Sequence, residues 1–314
     1  MRFIFTVLML FVSMTVSAVS LDKVVVFGDS LSDNGNLYEY MKHQMPISPP
    51  YYQGRFTNGP VWVELLVQSY YANDPRSHLL DYAFGGAGIA VEDGDDDDET
   101  LFTLRREIDS YLLAHQDKAD AKSLFVMWMG SNNYLAIPDD VEQTVDDVIL
   151  GIRENLERLV LKGAKHIMVI NLPDLGQTPA ARDFDAVDIL TDCSAKHNAN
   201  LKSMIEEFKI QYPDVQWIHF DVNQMLLDIL HNPAQFGFTN TSDTCYEEII
   251  DHPSAKSVLN LASTITPHKS LSGDPCAGYL FFDPVHPSML AHQLMSDRMN
   301  QLFIELGIEF VTSQ

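Results

Sequence analysis

The sequence is poor in cysteine, in cations and in long apolar runs. Cysteine occurs only at positions 193, 245 and 276, and never as Cys-x-x-Cys. No histidine pair stands at an i, i+4 spacing with a glutamate nearby. These absences exclude the common zinc sites, and no metal and no cofactor is expected. Lys and Arg number 20 against 44 Asp and Glu, for a net charge of −24. Such a chain is repelled by nucleic acid and by anionic headgroups, so a nucleic-acid partner is excluded. Beyond residue 18 no apolar stretch is long enough to cross a bilayer, so no integral membrane segment is expected. There is no internal repeat and no linker that would divide the chain.

What is present reads as an exported globular domain. The 314 residues are 46% hydrophobic, which suits a sizeable core. Arg2 precedes an apolar run from Phe3 to Val16, broken only by Thr6, Ser13 and Thr15. Val16-Ser17-Ala18 then offers the small residues that signal peptidase cleaves after. We expect a signal peptide over 1–18, a single domain over 19–314, and a secreted or periplasmic location. An oxidising compartment favours one disulfide and leaves one thiol over. Cys245–Cys276 is the preferred pair, because it closes a long irregular stretch; pairings through Cys193 remain open.

Short apolar runs alternate with helical periodicity. Val24–Phe27, Leu79–Ala83, Leu124–Met129, His166–Ile170 and Val215–Phe220 read as strands. LFVMWM at 124–129 is apolar throughout, as in strands buried on both faces. Val141–Leu161 sets Val145, Val148, Ile149, Ile152, Leu156 and Leu159 at helical spacing, and Gly163 ends it. Ala195–Ile210, Asn223–Leu230 and Pro287–Leu306 read as further helices, with Pro287 in the first turn of the last. The alternation predicts an α/β fold of three layers, α/β/α, around a parallel sheet covered on both faces. Two segments stand outside this pattern. Glu92–Glu99 (EDGDDDDE) lacks the alternating ligands of a calcium loop and reads as a solvated acidic loop. Pro233–Gly278 is long and irregular, and loops of that length are usually functional or mobile.

The chemistry gathers at strand exits. FGDSLSD follows the first strand, FGGAG the second and GSNNY the third, while FFDPVHPS lies near the C-terminus. Ser30 by itself would read as a helix cap. A hydroxyl nucleophile needs a base, and the base needs an acid to orient it. Asp283 stands three residues before His286, in a segment stiffened by Pro284 and Pro287, a spacing at which the carboxylate can fold back onto the imidazole. Asp29 is better suited to accepting backbone N–H bonds in the turn. Gly85 and Gly86 allow a backbone N–H to approach a substrate oxygen. With the Ser30 amide and the Asn132 side chain they supply an oxyanion site. The other histidines, among them His197, His252 and His268, have no comparable setting.

FGDSLSDNGN, YAFGGAG, GSNN and DPVHP occur here in the order of the characteristic blocks of the GDSL, or SGNH, hydrolase family, which the chain resembles over nearly all its mature length. Gly54–Glu64 (GRFTNGPVWVE) and Asn171–Pro179 (NLPDLGQTP) are similar to its bacterial secreted lipase, lysophospholipase A and acyltransferase branch. The resemblance implies the SGNH fold, with a flavodoxin-like parallel sheet, and a Ser-His-Asp acyl-enzyme mechanism through Ser30, His286 and Asp283. It implies an oxyanion hole of Ser30, Gly86 and Asn132. Two positions depart from the pattern: Asn133 stands where Asp is common, and Asp81 where Asn is common. The resemblance further implies a lysophospholipid or phospholipid substrate, with a sterol as a second acyl acceptor. A carbohydrate O-acetyl esterase and a non-catalytic binding protein on the same scaffold are the alternatives. The stretch between Cys245 and Cys276 reads either as a surface excursion stapled for stability or as a lid over the acyl site, open to a processing protease.

Overall fold

The computed structural model describes residues 19–90, 102–245 and 276–311. The expected signal peptide, the acidic run and the proposed lid at 246–275 lie outside the described residues, as do His252 and His268.

Five parallel strands form the central sheet: β1 (Lys23–Gly28), β2 (Leu79–Asp81), β3 (Ser123–Trp128), β4 (His166–Ile170) and β5 (Gln216–Phe220). Their order is β2-β1-β3-β4-β5, the flavodoxin-like arrangement. β1 and β3 pair in register from Lys23 opposite Ser123 to Gly28 opposite Trp128. All six residues of β3 are buried, because helices cover both faces of the sheet. On one face α1 (Trp62–Tyr70) packs against α6 (Met289–Leu306). On the other, α3 (Val141–Leu161) packs against α2 (Leu104–Ala114) and α4 (Val187–Gln211). α5 (Val222–His231) follows β5 at the sheet edge. The strand order reverses between β1 and β3, so the exits of these strands flank a crevice at their carboxyl ends.

Several boundaries differ from the sequence reading. α4 begins at Val187, eight residues earlier than periodicity suggested, since Leu190 and Cys193 continue the buried stripe of His197, Leu201, Met204 and Phe208. Pro287 lies outside α6, which starts at Met289 after Ser288. Its carbonyl accepts from Thr57 Oγ1 at 2.9 Å and its backbone bridges Phe281, so the residue serves a loop clamp and not a helical turn. The stretch expected to be irregular contains a strand, Asn240–Thr244, parallel to Tyr279–Phe281. A short parallel pair, Val19–Leu21 with Ile308–Phe310, joins the two ends of the described chain.

Cys245 and Cys276 form a disulfide, with Cα atoms 5.0 Å apart, and Cys193 is a buried free thiol. The bridge belongs to a small second core with Leu37, Tyr51, Phe56 and Phe282, next to the segment that carries Asp283.

Candidate active site

β1 delivers its last residue, Gly28, into a tight turn. The N–H groups of Ser32 and Asp33 both return to the Asp29 carbonyl, each at 3.0 Å, and Leu31 N–H donates to Asp29 Oδ1 at 3.0 Å. Asp29 therefore shapes the turn, as its position suggested. Burial pushes its carboxyl up to about 6, against the pull of the Leu31 N–H. A Cβ on Gly28 would stand 3.0 Å from the Trp128 carbonyl, so a side chain here would crowd the neighbouring strand.

The structure brings Ser30, His286 and Asp283 together across the whole length of the chain. Ser30 Oγ lies 2.7 Å from His286 Nε2, and His286 Nδ1 lies 2.6 Å from Asp283 Oδ2. A carboxylate can only accept, so Nδ1 carries the proton and Nε2 is left to accept from the Ser30 hydroxyl. Asp283 Oδ1 takes the N–H groups of Val285 and His286 at 2.8 and 2.7 Å, which closes the Asp-Pro-Val-His turn. Tyr51 O–H donates to Asp283 Oδ2 at 2.7 Å. Burial acts to raise the Asp283 carboxyl, but His286 and these donors outweigh it and hold the group below its ordinary value.

The second strand exit is drawn onto the first. Gly85 N–H donates to Asp33 Oδ2 at 2.7 Å, while Phe84 N–H donates to the Gly28 carbonyl at 3.1 Å. This separates the two glycines that the sequence left ambiguous. The Gly85 amide already has an acceptor, whereas the N–H groups of Gly86 and Ser30 have none among the described residues. Gly86 has φ +80°, a conformation natural to glycine. Asn132, half-buried, gives one amide hydrogen to the Ala87 carbonyl at 2.7 Å and keeps the other. These groups form a set of N–H donors beside a serine hydroxyl, and such a set can stabilise an alkoxide.

Both departures from the family pattern have local reasons. Asn133 accepts from Ile89 N–H at 2.9 Å and donates to the Ile89 carbonyl at 2.8 Å, and an ionised aspartate could not do the latter. Asp81 accepts from Ala83 N–H through Oδ1, while its buried Oδ2 has no partner among the described residues. Burial raises the Asp81 carboxyl well above its ordinary range, which favours the neutral form.

Sequence reasoning did not assign a role to the segment that clamps His286. The Phe56 ring lies 5.1 Å from the imidazole, and Asn58 Oδ1 accepts from Met289 N–H at 2.7 Å. Gly54–Glu64 carried the signal only as a block typical of the branch. Tyr51, just before it, carried none.

Ser30 and His286 open on a cavity between the carboxyl ends of the strands and two helices. α5 contributes Val222, Met225, Leu226 and Ile229, and α6 contributes Ala291 and Met295. Leu175, Leu280 and Val285 complete a wall that is almost entirely apolar. Among the described residues no cluster of three or more His, Cys, Asp or Glu side chains could hold a metal.

Residues 24–299 match the family model of GDSL-like lipase/acylhydrolase, and the chain belongs to that family of carboxylic ester hydrolases and acyltransferases. Over 339 aligned residues it is 32% identical to phosphatidylcholine-sterol acyltransferase of Aeromonas hydrophila, which covers 98% of each chain. Secreted effector protein SseJ of Salmonella typhimurium is 29% identical over 288 residues, or 88% of this chain and 62% of that one. Among solved structures, the inhibitor-bound aryl esterase of M. smegmatis shares the fold, with a TM-score of 0.52 at 12% identity over 91% of this chain and 99% of the other.

Proposed function

We propose that this chain is an exported lipid acyl hydrolase, taking lysophospholipid or phospholipid esters through an acyl-enzyme on Ser30. His286, oriented by Asp283, removes the Ser30 proton as Oγ attacks the ester carbonyl. The N–H groups of Ser30 and Gly86 and the Asn132 side chain hold the resulting oxyanion. His286 then protonates the departing alcohol. Water, deprotonated in turn by His286, releases the fatty acid; a sterol hydroxyl in its place gives a sterol ester.

The observation that carries the lipid assignment is the apolar wall onto which Ser30 and His286 open. An acetyl group needs room for two carbons, whereas four side chains of α5 and two of α6 line a path suited to a longer chain. This favours an acyl lipid over an O-acetylated carbohydrate. The similarity to a phosphatidylcholine-sterol acyltransferase supports the same class and the choice of a sterol as second acceptor. Among the described residues no helix is long and apolar enough to cross a membrane. Export rests on the leader-like segment at 1–18.

The test is product analysis on lysophospholipids, diacyl phospholipids and short-chain esters, with and without cholesterol, together with fluorophosphonate labelling. We expect labelling of the wild type and none of Ser30→Ala, with free fatty acid released from the lipids. Cleavage of acetyl esters alone would overturn the lipid reading. Equal labelling and activity in Ser30→Ala would overturn the nucleophile.

A further inference from the structure

Asp283 is nearly fully buried, and its carboxylate accepts four hydrogen bonds. Three come from its own turn: the Val285 and His286 amides and the His286 ring. The fourth comes from Tyr51, 232 positions away in sequence, at 2.7 Å. Tyr51 is itself 2% exposed. Its ring packs edge-on against Phe56 at 5.8 Å and Phe282 at 5.0 Å. Phe282 precedes Asp283 in the chain, and Phe56 lies against His286. The phenol is thus held rigidly at the same oxygen, Oδ2, that receives the His286 Nδ1–H.

Two donors on one carboxylate oxygen compete for its charge. Charge drawn toward the phenol is not available to stabilise the imidazolium that forms when His286 takes the Ser30 proton. We infer that Tyr51 is a positioning residue that fixes the rotamer of Asp283 and sets the basicity of His286, making Tyr51–Asp283–His286–Ser30 a four-membered relay. This rests on the acyl-transfer reading above.

Removing the phenol O–H concentrates the negative charge on the bond to His286. The imidazolium becomes more stable, and the acidic limb of the pH–rate profile moves to higher pH. Two other titratable groups stand close to His286. Asp29 is on the Ser30 turn, and His292, on α6, accepts from Trp62 N–H at 3.2 Å. Neither touches Tyr51 in the hydrogen bonds of the site, so both are common to wild type and variant.

Tyr51→Phe keeps the ring and deletes the donor. Hydrolysis of p-nitrophenyl butyrate should show kcat lowered about tenfold, because a carboxylate whose rotamer is no longer fixed orients His286 less well and this outweighs the gain in imidazolium stability, with KM nearly unchanged. The acidic limb of kcat/KM should move up by about half a pH unit. A residue that only packs would leave the limb where it is. 3-Fluorotyrosine at position 51, a stronger donor, should move the limb the opposite way, and this variant decides the matter if Tyr51→Phe fails to fold. Ser30→Ala is assayed beside them. If Ser30→Ala is inactive while both position-51 variants keep the wild-type limb, the role of Tyr51 is overturned alone. If Ser30→Ala retains activity, the acyl-transfer reading itself fails.

Discussion

Gly85 N–H donates to Asp33 Oδ2 at 2.7 Å and so ties the exit of the second sheet strand to the turn that carries Ser30, across 52 positions of sequence. Asp33 accepts three further backbone N–H groups, from Gly35, Asn36 and Leu37 at 2.7, 2.6 and 3.1 Å. Asp33→Ala strands these donors in a buried site. We expect a loss of at least about 3 kcal/mol in denaturant unfolding and loss of esterase activity as the Gly86 turn drifts. Asp33→Asn keeps one acceptor oxygen and should lose less. A stable Asp33→Ala enzyme of normal activity would contradict this account.

The proposed oxyanion site predicts a separation of kinetic constants. Asn132 gives one amide hydrogen to Ala87 and, among the described residues, holds the other free. Asn132→Ala should lower kcat by about 10²–10³ and leave KM within a few-fold, since the missing bond forms only as charge develops. A drop confined to KM would move Asn132 from the reaction to substrate binding.

Chain-length preference should respond to α5. Ile229 lines the cavity and is almost fully buried. Ile229→Trp fills part of the path and should cut turnover of dodecanoyl and longer esters by about tenfold or more, while butyryl esters are nearly unaffected. Melting of the variant shows how much of any loss is overpacking, which costs about 1–3 kcal/mol. A uniform fall across all chain lengths would place the acyl chain elsewhere.

Stability and turnover should diverge with pH. Burial pushes Asp29 and Asp33 up to about 6 and raises Asp81 and Glu107 well above the carboxylate range. It also pulls His197 and His292 down to about 3. Below about pH 6.5 the unfolded chain binds the two histidine protons that the folded chain refuses. The folded chain in turn holds four carboxyl protons that the unfolded chain releases above about pH 4. Between about pH 6 and 4.5 the folded state binds more protons, so stability rises as pH falls. Lower still, the two histidines and Asp283, whose folded value is depressed, reverse the slope. Melting temperature should peak near about pH 4.5, while ester turnover falls on the acidic side because a protonated His286 cannot accept from Ser30. A melting temperature that climbs steadily to pH 8 would refute this.

The disulfide should matter to both fold and rate. It joins residues 31 positions apart, and closing a loop of that length is worth about 3–4 kcal/mol. The bridge packs with Tyr51 and Phe282, so the paired Cys245→Ser, Cys276→Ser variant should also lose activity, measurable on short esters below its melting temperature. Unchanged turnover would separate the bridge from the site.

How much was legible can be seen residue by residue. Val141–Leu161 and His166–Ile170 were readable to the residue, because periodicity and continuous apolar runs report burial directly. The start of α4 was not, since its first turns carry Asp and Thr between the buried positions and Ala186 offers no capping side chain. The strand Asn240–Thr244 was hidden because NTSDT has neither alternation nor apolar content; its pairing with Tyr279–Phe281 is a tertiary fact. Asp283 and His286 announced themselves by their spacing. Tyr51 could not, because nothing local distinguishes a tyrosine that reaches a carboxylate 232 positions away.

The sequence by itself determined the alternation of strands and helices, the identity of the family and the residue types at each strand exit. These are local properties, written in periodicity and short blocks. Only the tertiary structure decided which donors remain free. Gly85 and Gly86 are indistinguishable as letters, and it is the folding of Asp33 onto Gly85 that occupies one amide and leaves the other. The same holds for the four bonds on Asp283 and for the wall of the cavity, to which α5 and α6 bring side chains from opposite ends of the last third of the chain. Hydrogen-bond saturation and burial belong to pairs of distant groups, and a chain acquires them only when the sheet order sets those groups side by side.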